Sequence, residues 1–152
     1  MKEYTGAFQR INELAKRAGS MAPDDLVRAH TAQFICVLVS GTLERACARL
    51  LADHASRTSS PRIARYAGSR LKQLQNLNAP KIEELLQSFD PLWAQEIENF
   101  WSGQIRDAIS SLVNNRNQIA HGQQVGVSLA QAVQWASDAK AFCDKLCEMT
   151  RR

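Results

Sequence analysis

The stretch Arg116-Asn117-Gln118-Ile119-Ala120-His121-Gly122 places a permanent cation, an amide and an imidazole within six residues, with a glycine directly after them. Arginine is charged at every accessible pH and presents a planar fork of donors that matches a phosphate. Histidine is the side chain whose unperturbed pKa suits proton transfer near neutrality. A phosphate clamp beside a proton-transfer group points to phosphodiester chemistry, with RNA as the natural substrate. On a helix, Asn117 and His121 project within about 40° of each other, whereas Arg116 and His121 lie about 140° apart. Gly122 is suited to end that helix in the left-handed conformation. A histidine in the last turn also faces the negative end of the helix dipole, where a cation is favoured.

Spacing alone does not select this pair, because Arg49 and His54 repeat it. Context separates the two. Arg49-Leu50-Leu51-Ala52-Asp53-His54 lies within an amphipathic pattern whose leucines serve a core. Arg116 is flanked by Asn114, Asn115 and Asn117 at a helix end, where packing gives less reason for a polar cluster. The plain structural alternative for Arg116 to His121 is a polar helix C-terminus.

The elements that must position these residues read as helices throughout. Phe8, Ile11, Leu14, Ala15 and Ala18 recur at helical spacing before Gly19. Asp24 or Asp25 is placed to cap a long second helix whose apolar face runs from Leu26 to Leu51. Its run Ile35 to Val39 has strand-like composition, yet its flanks are helical, so it reads as buried helix with Gly41 as a place to bend. Ser60-Pro61 opens a third helix. Ala79-Pro80 opens a short one through Phe89, and Asp90-Pro91 opens another carrying Leu92, Trp93, Ile97, Phe100 and Trp101. Beyond Gly103, Ile105, Ala108, Ile109, Leu112 and Val113 lead toward His121. Ser128 caps a last helix through Leu146. The expectation is a single all-α domain over residues 1–152, a bundle of about five to seven helical pieces.

Composition is that of a globular chain: 152 residues, 45% hydrophobic, 22% charged. The longest apolar run, Phe34 to Val39, is far too short for a bilayer, and the N-terminus lacks the apolar core of a signal peptide. No membrane role and a cytoplasmic location are therefore expected. A net charge of +4 favours an anionic partner. Cys36, Cys47, Cys143 and Cys147 form no C-x-x-C pair and have no histidine at zinc-ligand spacing, so they read as free, buried thiols. Neither a metal nor a cofactor is expected.

The run from Ile109 to Gly122 resembles the signature of the HEPN superfamily, and the chain is similar to its RiboL-PSP-HEPN branch. That resemblance implies an α-helical, HEPN-like bundle that pairs as a twofold dimer, with Arg-x4–6-His, often with a polar residue after the Arg, serving metal-independent ribonuclease chemistry. It implies Arg116, Asn117 and His121 as catalytic residues. It also implies an acidic residue on an earlier core helix, a place that Glu44 fits; the alternative for Glu44 is a surface ion pair. Some HEPN toxins carry a Tyr two residues after the His that a partner nucleotidyltransferase modifies. Here that position is Gln123, which puts that control in doubt.

The implied function is endonucleolytic RNA cleavage through the 2′-hydroxyl at a dimer-interface site, in a toxin or defence effector with an antitoxin or regulatory protein as a further partner. The alternative is a catalytically inactive HEPN module that binds RNA, nucleotide or a partner protein. A plain helical interaction domain is a third reading. Arg62, Arg65, Arg70 and Lys72 are candidates to track RNA backbone, against a simple solvated helix face. Trp93 and Trp101 could stack on bases, but they share helical spacing with Leu92, Ile97 and Phe100, which suggests core or dimer packing.

Overall fold

A computed structural model describes residues 3–101 and 103–152. Among these residues there are seven helices and no strand: α1 (Glu3–Gly19), α2 (Leu26–Thr58), α3 (Pro61–Leu71), α4 (Ala79–Phe89), α5 (Pro91–Trp101), α6 (Gln104–Ala120) and α7 (Leu129–Arg151). The all-α bundle expected from periodicity is what forms.

α2 is the spine. Its 33 residues span about 50 Å at the helical rise, and α1, α3, α6 and α7 all pack on it. Asp25 caps its start, accepting a hydrogen bond from the Val27 amide at 2.8 Å. The helix continues without a break through Gly41. Ile35, Cys36 and Val39 are fully buried while Val37 and Leu38 are half-buried. A strand would have buried alternate residues, so the burial pattern has helical rather than strand period.

The remaining helices close the core around this spine. α1 turns Tyr4, Phe8, Ile11, Ala15 and Ala18 inward. The Tyr4 hydroxyl donates to Asp144 on α7 at 2.8 Å, tying the first helix to the last. Trp101 at the end of α5 is fully buried and stacks on Phe142 of α7, ring centres 5.2 Å apart. Trp93 is half-buried between Phe89 and His54. Both tryptophans therefore pack against the protein itself.

Helix ends follow local chemistry. Ser60 and Pro61 start α3, although the Ser60 side chain makes no capping hydrogen bond. Asn78 caps α4 through the Lys81 amide at 3.1 Å. Asp90 accepts from the Leu92 amide at 2.9 Å. Ser128 and Gln131 form a reciprocal capping box on α7.

All four cysteines are buried and free. Burial pushes the Cys36 thiol up to about 11. Burial, with the Glu44 charge nearby, pushes Cys47 up to about 12. Cys143 is raised by burial as well. Thiols held in this protonated form are poor nucleophiles and poor metal ligands.

Candidate active site

The end of α6 is built as its sequence suggests. His121 is the C-cap residue, with φ −90° and ψ 12°, and its amide donates to the Asn117 carbonyl at 3.1 Å. Gly122 adopts φ +73°. The Gly122 amide reaches the Ile119 carbonyl at 3.0 Å and the Gln123 amide reaches Gln118 at 2.9 Å. This pair of bonds is a Schellman motif, and it requires the left-handed residue that glycine supplies. The His121 side chain is exposed on this tight ending. Among the described residues it makes no hydrogen bond or ion pair.

Arg116 points elsewhere. It is half-buried, and its Nη1 donates to Asn76 Oδ1 at 3.1 Å and to Asn117 Oδ1 at 3.2 Å. Both acceptors are neutral amide oxygens, and Arg116 forms no ion pair among the described residues. Its charge is thus held in place without being neutralised. The Nε–Nη2 edge, which can grip a phosphate with two parallel hydrogen bonds, has no protein acceptor there.

Asn76 lies in the turn between α3 and α4 and carries φ +53°, the one non-glycine residue with positive φ among those described. Its backbone amide donates to Glu44 Oε1 on α2 at 2.7 Å. Leu77 beside it is buried, and the Ala79 amide donates to Ser110 Oγ on α6 at 3.3 Å. Glu44, Asn76, Arg116 and Asn117 therefore form one chain of hydrogen bonds across α2, the turn and α6. No bond links Glu44 to His121. Sequence reasoning did not single out Asn76. An asparagine in the Gln/Asn-rich turn 73–78 is a signal for left-handed backbone, but its bond to a residue 40 positions away is tertiary.

The second Arg–His pair is occupied structurally. Arg49 forms exposed ion pairs with Glu3 and Asp53. His54 Nδ1 lies 2.9 Å from the Thr150 carbonyl, and its ring meets Trp93 edge-on at 4.8 Å. A carbonyl only accepts, so Nδ1 carries the hydrogen.

Arg62, Arg65, Arg70 and Lys72 lie exposed on and just after α3, with no side-chain ion pair or hydrogen bond among the described residues. Residues 54–82 contain six Lys and Arg and no Asp or Glu, while the other 13 basic residues are outnumbered by 15 acidic ones. The whole positive excess resides on this segment. Tyr66, 64% exposed among these arginines, is an aromatic that sequence reasoning missed. Its place between Arg65 and Arg70 is the signal for it. A cleft of about 890 Å³ between α1, α2 and α3 has Arg10, Arg45 and Lys72 on its walls together with Glu3, Glu44 and Asp53, so Lys72, but none of the α3 arginines, shares a depression with the Glu44 end of the hydrogen-bond chain.

Among the described residues no cluster of three or more His, Cys, Asp or Glu could hold a metal ion, and no helix is long and apolar enough to cross a membrane. The sequence model of the RiboL-PSP-HEPN family matches residues 2–150. No curated protein and no solved structure matches the chain.

Proposed function

Because the chain belongs to the RiboL-PSP-HEPN family, we propose that it is a metal-independent endoribonuclease whose working site combines the α6 ends of two protomers. The observation that carries this reading is Arg116: a cation fixed by two neutral oxygens, its phosphate-binding edge free, five residues before an exposed histidine. Arg116 and His121 diverge within one chain. A twofold axis that brings two α6 ends together lets the arginine of one protomer serve the histidine of the other.

In that arrangement the two Arg116 side chains hold the scissile phosphate and stabilise charge on its nonbridging oxygens. His121 of one protomer removes the proton of the ribose 2′-hydroxyl. The 2′-oxygen bonds to phosphorus as the bond from phosphorus to the 5′-oxygen breaks. His121 of the other protomer protonates that leaving oxygen. The products are a 2′,3′-cyclic phosphate and a 5′-hydroxyl. Asn117 holds Arg116, and Glu44 acts from its place on α2. The RNA strand approaches along Arg62, Arg65, Arg70 and Lys72. We propose a toxin or defence role for such an activity, with an antitoxin or regulatory protein to restrain it. Growth arrest on expression of wild type but not of His121→Ala tests that role.

The decisive assay is RNA cleavage by wild type, Arg116→Ala and His121→Ala in EDTA. Cleavage in EDTA that ends in a cyclic phosphate, spares DNA and disappears in both variants is expected. A requirement for a divalent metal sinks the mechanism, and a protein that stays monomeric at micromolar concentration sinks the shared site. The separation of Arg116 from His121 in one chain favours a second reading, an inactive HEPN module that binds RNA, nucleotide or a partner protein. Tight RNA binding with no cleavage at any protein concentration selects it.

A further inference from the structure

We infer that Asn76 is the positioning residue for Arg116, and that Glu44 acts on the phosphate-binding cation through this asparagine rather than by touching the arginine or His121. The inference concerns how the proposed ribonuclease site is set, and its cleavage arm rests on that reading; its structural arm does not.

Three requirements meet at position 76. The backbone is left-handed, φ +53°, a conformation that glycine, asparagine and aspartate adopt at least cost. The amide N–H must reach Glu44, which it does at 2.7 Å in a hydrogen bond strengthened by the carboxylate charge. The side chain must offer an oxygen to Arg116 Nη1, which it does at 3.1 Å. Glycine meets the first two demands and fails the third. Aspartate meets all three but sets a carboxylate against Arg116, cancelling the charge that a phosphate needs. Of the three, only asparagine holds the guanidinium and leaves its charge uncompensated.

The turn is stiff enough for this task. Glu44 pins it at residue 76, the buried Leu77 anchors it in the core, and Asn78 is fixed as the cap of α4. With Nη1 committed to Asn76 and Asn117, rotation about the last guanidinium bond is restrained, and the Nε–Nη2 edge keeps one direction. Pre-orienting a donor fork before substrate arrives is the main way a positively charged group lowers a phosphoryl-transfer barrier.

The test compares Asn76→Gly and Asn76→Asp with wild type. Glycine keeps the left-handed backbone and the N–H to Glu44 and removes only the amide, so folding is spared. NMR of the arginine-labelled free protein reads the rotation of the Arg116 guanidinium without any RNA. Slow rotation is expected in wild type and in Asn76→Asp, and fast rotation in Asn76→Gly. In the cleavage arm, Asn76→Gly lowers kcat by roughly tenfold, the loss expected for one hydrogen bond to a charged group, with a smaller change in KM. Adding Glu44→Ala slows wild type but has no further effect in the Asn76→Gly background.

Unchanged Arg116 rotation in a folded Asn76→Gly protein overturns the inference, as does an equal loss from Glu44→Ala in both backgrounds. If wild type cuts no RNA, the ribonuclease reading falls, and the guanidinium measurement still decides the role of Asn76.

Discussion

Arg49–His54 and Arg116–His121 share a spacing but not an environment. His54 donates to the Thr150 carbonyl and packs on Trp93, so it joins the C-terminal end of α2 to the end of α7 and to α5. His54→Ala removes a hydrogen bond and an aromatic contact from a half-buried site. It is expected to destabilise the fold by about 1–3 kcal/mol while leaving RNA cleavage per folded molecule unchanged. Denaturant melts paired with cleavage rates at matched folded fraction check this, and a specific loss of cleavage would mean that the wrong pair has been assigned. Arg116–His121 could be singled out in the sequence because what marks it is local: flanking asparagines, a helix end, a glycine. Asn76 was not legible, because its importance lies in a bond to Arg116 that exists only once α3, α4 and α6 have packed. Glu44 entered as a candidate only through the family resemblance, which places an acidic residue on an earlier core helix, and its partner was not legible at all. Nothing in the spacing of Glu44 says that its carboxylate accepts from a turn 32 residues away.

Helix α6 shows why an element's ending matters as much as its face. Gly122 sits at φ +73°, and a Cβ built there meets nothing within 4 Å. Space is available, so any cost of a side chain at this position comes from backbone conformation alone. Gly122→Ala is expected to cost about 1–2 kcal/mol and to lower Tm by roughly 2–8 °C. Gly122→Asn should cost less, because asparagine tolerates the left-handed region. Thermal melts of the two variants decide it, and an alanine as stable as wild type would show that the ending relaxes freely. Loosening this turn also frees His121, so cleavage should fall further in the alanine variant than stability alone explains. Helix boundaries were largely readable, since Asp25, Ser60-Pro61, Asp90-Pro91 and Ser128 each supply a start signal where a helix starts. The cap of α4 is Asn78, hidden by the more conspicuous Ala79-Pro80 that follows it. The Ile35 to Val39 run could be assigned to helix from its neighbours, and its burial explains its composition: β-branched residues fill the spine of the bundle where several helices converge on α2.

Across the whole molecule, charge is sorted by location, and the two halves of that sorting have separate consequences. At the α5–α7 contact, Lys145 lies 2.7 Å from Glu96, and Arg152 bridges Glu96 and Glu148. The hydrogen bond from Lys145 holds Glu96 below the usual glutamate range, and the same bond raises Lys145. A carboxylate lowered on folding adds stability that is complete above the unfolded glutamate pKa, about 4.3, and is lost as pH falls through the lowered value. Glu96→Gln should therefore lower stability slightly at neutral pH, by less than about 1 kcal/mol for a partly exposed pair, with the difference from wild type in thermal melts closing in acid. A gap that persists below the carboxylate range would assign the effect to packing instead. On the opposite account, residues 54–82 carry all of the positive excess, and the exposed cations of α3 gain no ion pair from the fold among the described residues. The net charge of +4 was visible in composition, yet it understates a segment with six cations and no acid. Removing Arg62, Arg65 and Arg70 together should leave stability almost unchanged, because exposed unpaired side chains contribute little to folding. If RNA follows α3, each lost phosphate contact lowers the slope of log affinity against log salt by about 0.7 for a single strand, so the triple variant should flatten it by about 2. Tyr66→Ala, on the same face, should weaken binding by about 1–3 kcal/mol through lost stacking and leave the salt slope as it is, since it removes no charge. Titrations of single-stranded RNA at several salt concentrations separate the two effects, and a triple variant that retains the wild-type slope would take α3 out of the RNA path.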